Sequence, residues 1–118
     1  SFYKGTLKNG QVLEMENSII VIGDVESGCK IISEKNIIIL GTLHGEAHAG
    51  ATGEEGHFVI ALDMEPTKLK IGDCTYKAED KKSKWVRKQK KEPKIAYMED
   101  YQIYMKTLTK ELLKEIPI

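Results

Sequence analysis

The chain has 118 residues, 18 basic and 18 acidic side chains, and 41% hydrophobic residues. That is one domain's worth of chain with enough apolar material for a core. The cancelled charge excludes a global pull towards nucleic acid or an anionic bilayer, and apolar runs such as Ile19 to Ile22 and Ile37 to Leu40 are too short to span a membrane. No signal peptide is visible. The chain begins at Ser1 with no Met, which reads as a fragment or a processed product. Cys29 and Cys74 form neither a CxxC pair nor a disulfide scaffold. Both read as reduced thiols of a cytoplasmic protein, Cys29 as a small hydrophobe within the repeat.

In chain order, the first element is a turn, Lys8-Asn9-Gly10-Gln11, placed just before a repeat. The segment Asn17-Ser18-Ile19-Ile20-Val21-Ile22-Gly23-Asp24-Val25 returns 18 residues later as Lys35-Asn36-Ile37-Ile38-Ile39-Leu40-Gly41-Thr42-Leu43. A looser third copy, His57-Phe58-Val59-Ile60-Ala61-Leu62, follows after a step of 21. A period this short, built from β-branched residues and closed by glycines, predicts stacked coils of strand. Eighteen residues divide into three sides of about six, giving an all-β fold of triangular section with three short strands per coil. The turn at Lys8–Gln11 then lies at the open end of the prism, with backbone groups available to a partner. Coils occupy residues 1–79 and a basic linker follows at 80–94. Residues 95–118 complete the domain with strands at Ile95-Ala96-Tyr97 and Gln102-Ile103-Tyr104-Met105 and a short helix from Leu108 to Ile116, capped by Thr109 and stopped by Pro117.

Side chains alternate along a strand. Stacking Ile20 on Ile38 on Val59, and Ile22 on Leu40 on Ala61, puts that column inside the prism with Leu13, Ile31, Val25 and Leu43. The outward set is then Ile19, Val21, Ile37, Ile39, Phe58 and Ile60. An apolar outer wall of this size marks an interface. Either a second copy covers it face to face as a homodimer, or the C-terminal segment folds back over it. The dimer is the favoured reading.

No residue set has the spacing of a catalytic constellation, so no catalytic residue and no enzyme activity is assigned. His44 and His48 stand four apart, but Gly45 occupies the place where a zinc-protease helix needs Glu, and the surrounding glycines oppose a helix. No metal is expected. Gly50-Ala51-Thr52-Gly53 lacks the lysine of a phosphate loop, and no cofactor is expected. His57, at a strand start, reads as solvated. Lys81 to Lys91 reads as a solvated linker rather than a phosphate or bilayer anchor built on Trp85. No nucleic-acid partner is expected. An acyltransferase of the hexapeptide type is disfavoured because the motif does not recur at six.

Taken together, Lys8-Asn9-Gly10-Gln11-Val12, Ile19 to Val25, and Asn36 through Leu43-His44-Gly45-Glu46-Ala47-His48-Ala49-Gly50 closely resemble the C-terminal domain of the MinC family, the septum-site-determining cell-division inhibitors of bacteria. The likeness continues through Ile60-Ala61-Leu62 and Pro66 to Ile71, covers about residues 3–76, and includes Ile95-Ala96-Tyr97 as a terminal strand. The resemblance implies a right-handed parallel β-helix that dimerises through one side. It implies binding to the membrane-associated ATPase MinD, recruitment through MinD to the inner face of the cell membrane, and inhibition of FtsZ ring assembly at incorrect septum sites. The family's MinD-contacting Arg-Ser-Gly-Gln segment maps onto Lys8, Asn9, Gly10 and Gln11. Lysine keeps the charge of that arginine but not its bidentate fork. The structural alternative is a self-polymerising β-helix like the bactofilin cytoskeletal proteins, whose open coil ends would stack.

Overall fold

A computed structural model describes residues 1–77 and 91–116. The basic segment expected at 80–94 falls outside the described residues up to Lys90.

Each coil contributes one strand to each of two sheets. The larger sheet holds β1 (Phe2–Lys4), β3 (Ile19–Ile22), β5 (Ile37–Leu43), β7 (Phe58–Met64), β10 (Lys94–Glu99) and β11 (Gln102–Thr107) in that spatial order. The smaller holds β2 (Val12–Met15), β4 (Lys30–Ser33), β6 (Glu46–Ala49), β8 (Lys68–Ile71) and β9 (Cys74–Lys77). Successive coils pair in parallel in both sheets, as a right-handed β-helix does. The third side is narrow. It is closed by single bridges from Leu7 to Val25 and from Val25 to Leu43, and then by Leu43 against Met64. All four of these side chains are buried.

The phase of the larger sheet differs from the sequence expectation. Ile19, Val21, Ile37 and Ile39 are at most 1% exposed and face the interior, while Ile22 and Leu40 are 41% and 44% exposed. Ile19, Val21, Ile37 and Ile39 are therefore core, and a second copy cannot reach them. The register explains the error. Ile37 pairs with Val59, not with Phe58, so the third coil is one residue longer than the apparent step. A one-residue slip exchanges the faces of a strand. Val59 and Ala61 do point inward, stacked on Ile37 and Ile39, and Ile20 stacks on Ile38 and Ile60 along the outer face.

The coils approach closely at one corner. A Cβ on Gly41 would run into the Gly23 carbonyl and the Asp24 carboxylate, and one on Gly23 into the Gly5 carbonyl. Side chains bridge the same corner. Thr6 Oγ1 accepts from the Asp24 N–H (3.3 Å) and Asp24 Oδ1 accepts from the Thr42 N–H (2.7 Å). The interior polar group Ser33 donates to the Asn17 carbonyl (2.8 Å) and accepts from the Lys35 N–H (2.9 Å), so its buried hydroxyl is satisfied both as donor and as acceptor.

The two ends are unlike. At the N-terminal end β1 and β2 are edge strands, and the inward residues Leu13 and Met15 are half-buried where their counterparts Ile31 and Ser33 are fully buried. At the other end antiparallel strands replace parallel ones: β9 on β8, and β10 on β7 followed by β11. Tyr76, Met98, Ile103 and Met105 plug the core there. The two expected C-terminal strands are both present, each longer than the sequence marks. The helix α1 (Lys110–Glu115) follows, its Thr109 cap accepting from the Leu112 N–H (3.1 Å).

Opposite substitutions test the phase. Ile39→Ala removes a buried side chain and should cost about 3 kcal/mol in urea unfolding. Leu40→Ala, one residue on, should cost less than about 1 kcal/mol. The reverse ranking would restore the other phase.

Candidate functional site

Two features stand out as surfaces for partners: the turn at the open end and the outer wall of the larger sheet. The turn is built by Asn9 and Gly10, whose φ angles of 57° and 72° are both left-handed. Asn-Gly favours this type I′ geometry because Asn tolerates positive φ and Gly carries no Cβ. The Gln11 N–H donates to the Lys8 carbonyl (3.2 Å), and the Lys8 N–H donates to Gln11 Oε1 (3.0 Å). The glutamine side chain is thus folded back across the turn. Lys8, Asn9, Gly10 and Gln11 are all exposed, so the structure brings these four sequence-selected residues together on one surface. The coil below repeats the corner at Glu26 and Cys29, where the Cys29 N–H donates to the Glu26 carbonyl (3.1 Å), but without a basic residue.

The outer wall carries Ile20, Ile22, Ile38, Leu40 and Leu62 in adjacent strands, with Ile22, Leu40 and Leu62 each more than 40% exposed. Of the residues the sequence assigned to this wall, only Phe58 and Ile60 face outward, and they are 5% and 4% exposed. They lie in a second apolar cluster with Ile95, under Leu108, Leu112 and Ile116. The C-terminal segment therefore covers one end of the wall and leaves the rest open. A small cavity of about 200 Å³ lined by Ser1, Ser18, Ile20, Asn36, Ile38 and Phe58 opens on the same face. A signal for the true phase lay in Ser18 and Asn36, polar residues two positions before Ile20 and Ile38, on the same side of their strands and partly exposed.

The histidines do separate jobs. His44 Nε2 meets Glu65 Oε2 at 2.9 Å on an exposed corner. His57 is not the solvated residue its position suggested: its side chain is 15% exposed, with Nδ1 3.1 Å from Asn36 Oδ1 and Nε2 3.3 Å from Glu54 Oε2. His48 Nε2–H donates to the Gly72 carbonyl (3.1 Å). Its pKa is lowered from 6.5, chiefly by burial and further by Lys70 and Lys30, with the Gly72 bond and Asp73 opposing. Among the described residues no three His, Cys, Asp or Glu side chains are gathered as metal ligands, and no helix is long and apolar enough to cross a membrane.

Residues 1–108 match the family model described as the septum formation inhibitor MinC, C-terminal domain. The chain belongs to the MinC C-terminal domain family. It is 46% identical over 121 residues to a probable septum site-determining protein MinC of Agathobacter rectalis, and 44% identical over 122 residues to one of Lachnospira eligens. The alignments cover 98% and 99% of this chain and 50% of each relative, so the chain spans about half the length of the curated relatives it matches. Among solved structures it resembles a chain of the MinC:MinD cell division protein complex of Aquifex aeolicus, with a TM-score of 0.78, 28% identity, and coverage of 98% of this chain and 94% of that one. The MinC relationship embraces the coils and both C-terminal strands, and so includes the turn and the wall.

Two outcomes follow from this geometry. Gly10→Val places a branched side chain at positive φ and should cost about 1–2 kcal/mol in thermal or urea unfolding. Because folding depresses the His48 pKa, the stability its neutral form supplies is whole above about pH 6.5 and is lost as pH falls below that value, when the unfolded chain takes up the proton first. His48→Gln should therefore show a shallower fall in urea midpoint from about pH 7 to about pH 5 than the unmodified chain. Equal slopes would remove this role for His48.

Proposed function

We propose that this chain is a non-enzymatic division-inhibitor module that self-associates through the outer wall and binds a MinD-type ATPase through the Lys8–Gln11 turn. The observation that carries the reading is the likeness, over almost the whole chain, to a chain of a MinC:MinD complex. The turn supports it physically. One lysine and three uncharged residues are presented on a rigid type I′ loop, so a partner pays little ordering entropy at the contact. In this reading the module is cytoplasmic, reaches the inner face of the membrane only through its ATPase partner, and there helps to block FtsZ ring assembly at incorrect septum sites.

The wall supports self-association. Ile22, Leu40 and Leu62 are exposed side by side with half-buried Ile20 and Ile38. Burying each such side chain is worth up to about 1.5–3 kcal/mol, and a two-fold face-to-face contact uses every one of them twice. The dimer surface is thus assigned to Ile20, Ile22, Ile38, Leu40 and Leu62. The alternative, end-to-end growth into filaments as in bactofilins, needs both coil ends open to parallel pairing. The antiparallel strands β9, β10 and β11 close one end and disfavour it.

Lys8→Glu is the cleaner test of the turn, because both turn bonds of Lys8 come from its backbone and survive the change. Co-sedimentation with ATP-loaded MinD on anionic vesicles should weaken at least about tenfold for Lys8→Glu and for Gln11→Ala, or ~1.4 kcal/mol. Undiminished binding by both variants would remove the site. Leu40→Asp should keep the fold and turn the chain into a monomer in analytical ultracentrifugation. A dimer that survives this change uses another face.

A further inference from the structure

We propose that α1 is a hinged cover over one end of the self-docking wall, and that lifting it enlarges the contact two copies can make. This rests on the wall being a contact between copies. A helix of six residues has no stability of its own in water, so α1 persists only through what it touches. It touches the wall through Leu112, with Leu108 ahead of the Thr109 cap and Ile116 at the C-cap packing on the same cluster, each only partly buried. Beneath them lie Phe58, Ile60 and Ile95, at 4–5% exposure. Ile38 borders both regions: it packs against this cluster and also lines the small open cavity with Ile20. Covered and uncovered parts are therefore one apolar surface.

The attachment has the form of a hinge. The Leu108 N–H donates to the Pro93 carbonyl (2.8 Å) and Thr107 Oγ1 donates to Glu92 Oε2 (3.0 Å), which pins the chain at the base of the helix. Beyond that point the Leu112 and Leu113 N–H groups donate to the Thr109 hydroxyl and carbonyl, bonds internal to the segment. Among the described residues no hydrogen bond or ion pair joins residues 110–116 to the coils. Lifting the helix therefore breaks no polar contact with the described coils and exposes Phe58, Ile60 and Ile95, which are continuous with the wall. Leu113, already 45% exposed on the far side of α1, shows that the helix does not bring a fully polar face to the surface in their place.

The test uses the full-length chain carrying Leu112→Asp and Ile116→Asp together, which puts two carboxylates against Phe58, Ile60 and Ile95. Hydrogen exchange should show the Leu112 and Leu113 amides losing protection while the amides of β3, β5 and β7 keep theirs. Sedimentation over a concentration series should show self-association at least about tenfold tighter than in the unmodified chain, and adding Leu40→Asp should abolish the gain. Retained protection at Leu112 and Leu113 would overturn the hinge. Unchanged or weaker association with α1 released, or a gain that survives Leu40→Asp, would overturn the cover. An unmodified chain that stays monomeric while the variant associates would uphold the cover and remove the dimer from the intact chain. If both chains stay monomeric, the cover and the dimer fall together.

Discussion

The structure depends on the close stacking of one coil upon the next at the corner of Gly5, Gly23 and Gly41. There the backbone of each coil lies where a Cβ of the next would have to be. No side chain fits, so this corner sets the rise between coils and holds the step at eighteen residues. The Thr6–Asp24–Thr42 bridges fix the same step in polar terms, since each side chain answers a backbone N–H one coil away. With the rise fixed, parallel pairing in both sheets follows, and columns of like residues fill the interior. Leu7, Val25 and Leu43 on the narrow side form one such column. Ile31, Ala47 and Leu69 form another in the smaller sheet.

A fold held by repetition leaves its functional surfaces where the repetition stops or has no covering layer. A β-helix has no second layer of its own, so the outward residues of each sheet must be polar or find a cover. The smaller sheet takes the polar course, with Lys30, Glu46, His48, Lys68 and Lys70 outward and the Lys30–Glu46 pair 3.8 Å apart. The larger sheet takes the other. Its outer columns are apolar from Ile20 to Ile60 and are only partly roofed by α1. The contrast between the two sheets leaves the larger one as the apolar face, and this is what supports the proposed self-association there.

The repeat, the triangular section, the open-end turn and the capped C-terminal helix were legible in the sequence, because each has a local marker. Glycines recur at the corners, Asn9-Gly10 dictates a left-handed turn, and Thr109 precedes an apolar pattern at helical spacing. The phase of the larger sheet was not legible from hydrophobicity. Ile19, Ile20, Val21 and Ile22 are all apolar, so alternation carries no information there. Deciding it required the length of the third coil, and that coil bears an insertion among glycines and glutamates around Gly53 to Gly56 that blurs the count. The smaller residues gave a weak pointer: Val59 and Ala61 fill the crowded interior, while Phe58 and Ile60 lie outside under the helix. The environment of His57 was hidden for a different reason, since its partners Asn36 and Glu54 are brought to it by coil stacking and by the inserted loop.

The unlike ends decide between a molecule that grows and one that stops. Parallel coils pass on an unsatisfied edge at each turn, and a chain with two such edges would add copies without limit. Here the chain reverses direction after β8 and again into β10, so the last pairings are antiparallel and Tyr76, Met98, Ile103 and Met105 fill the core behind them. Addition of a further parallel coil in that direction is disfavoured by topology and not by charge. The remaining edge, at β1 and β2, lies beside the exposed Lys8–Gln11 turn. In the proposed function, the open tip engages the ATPase partner and the apolar flank pairs with a second copy, on separate surfaces of the coil stack. Neither contact then excludes the other.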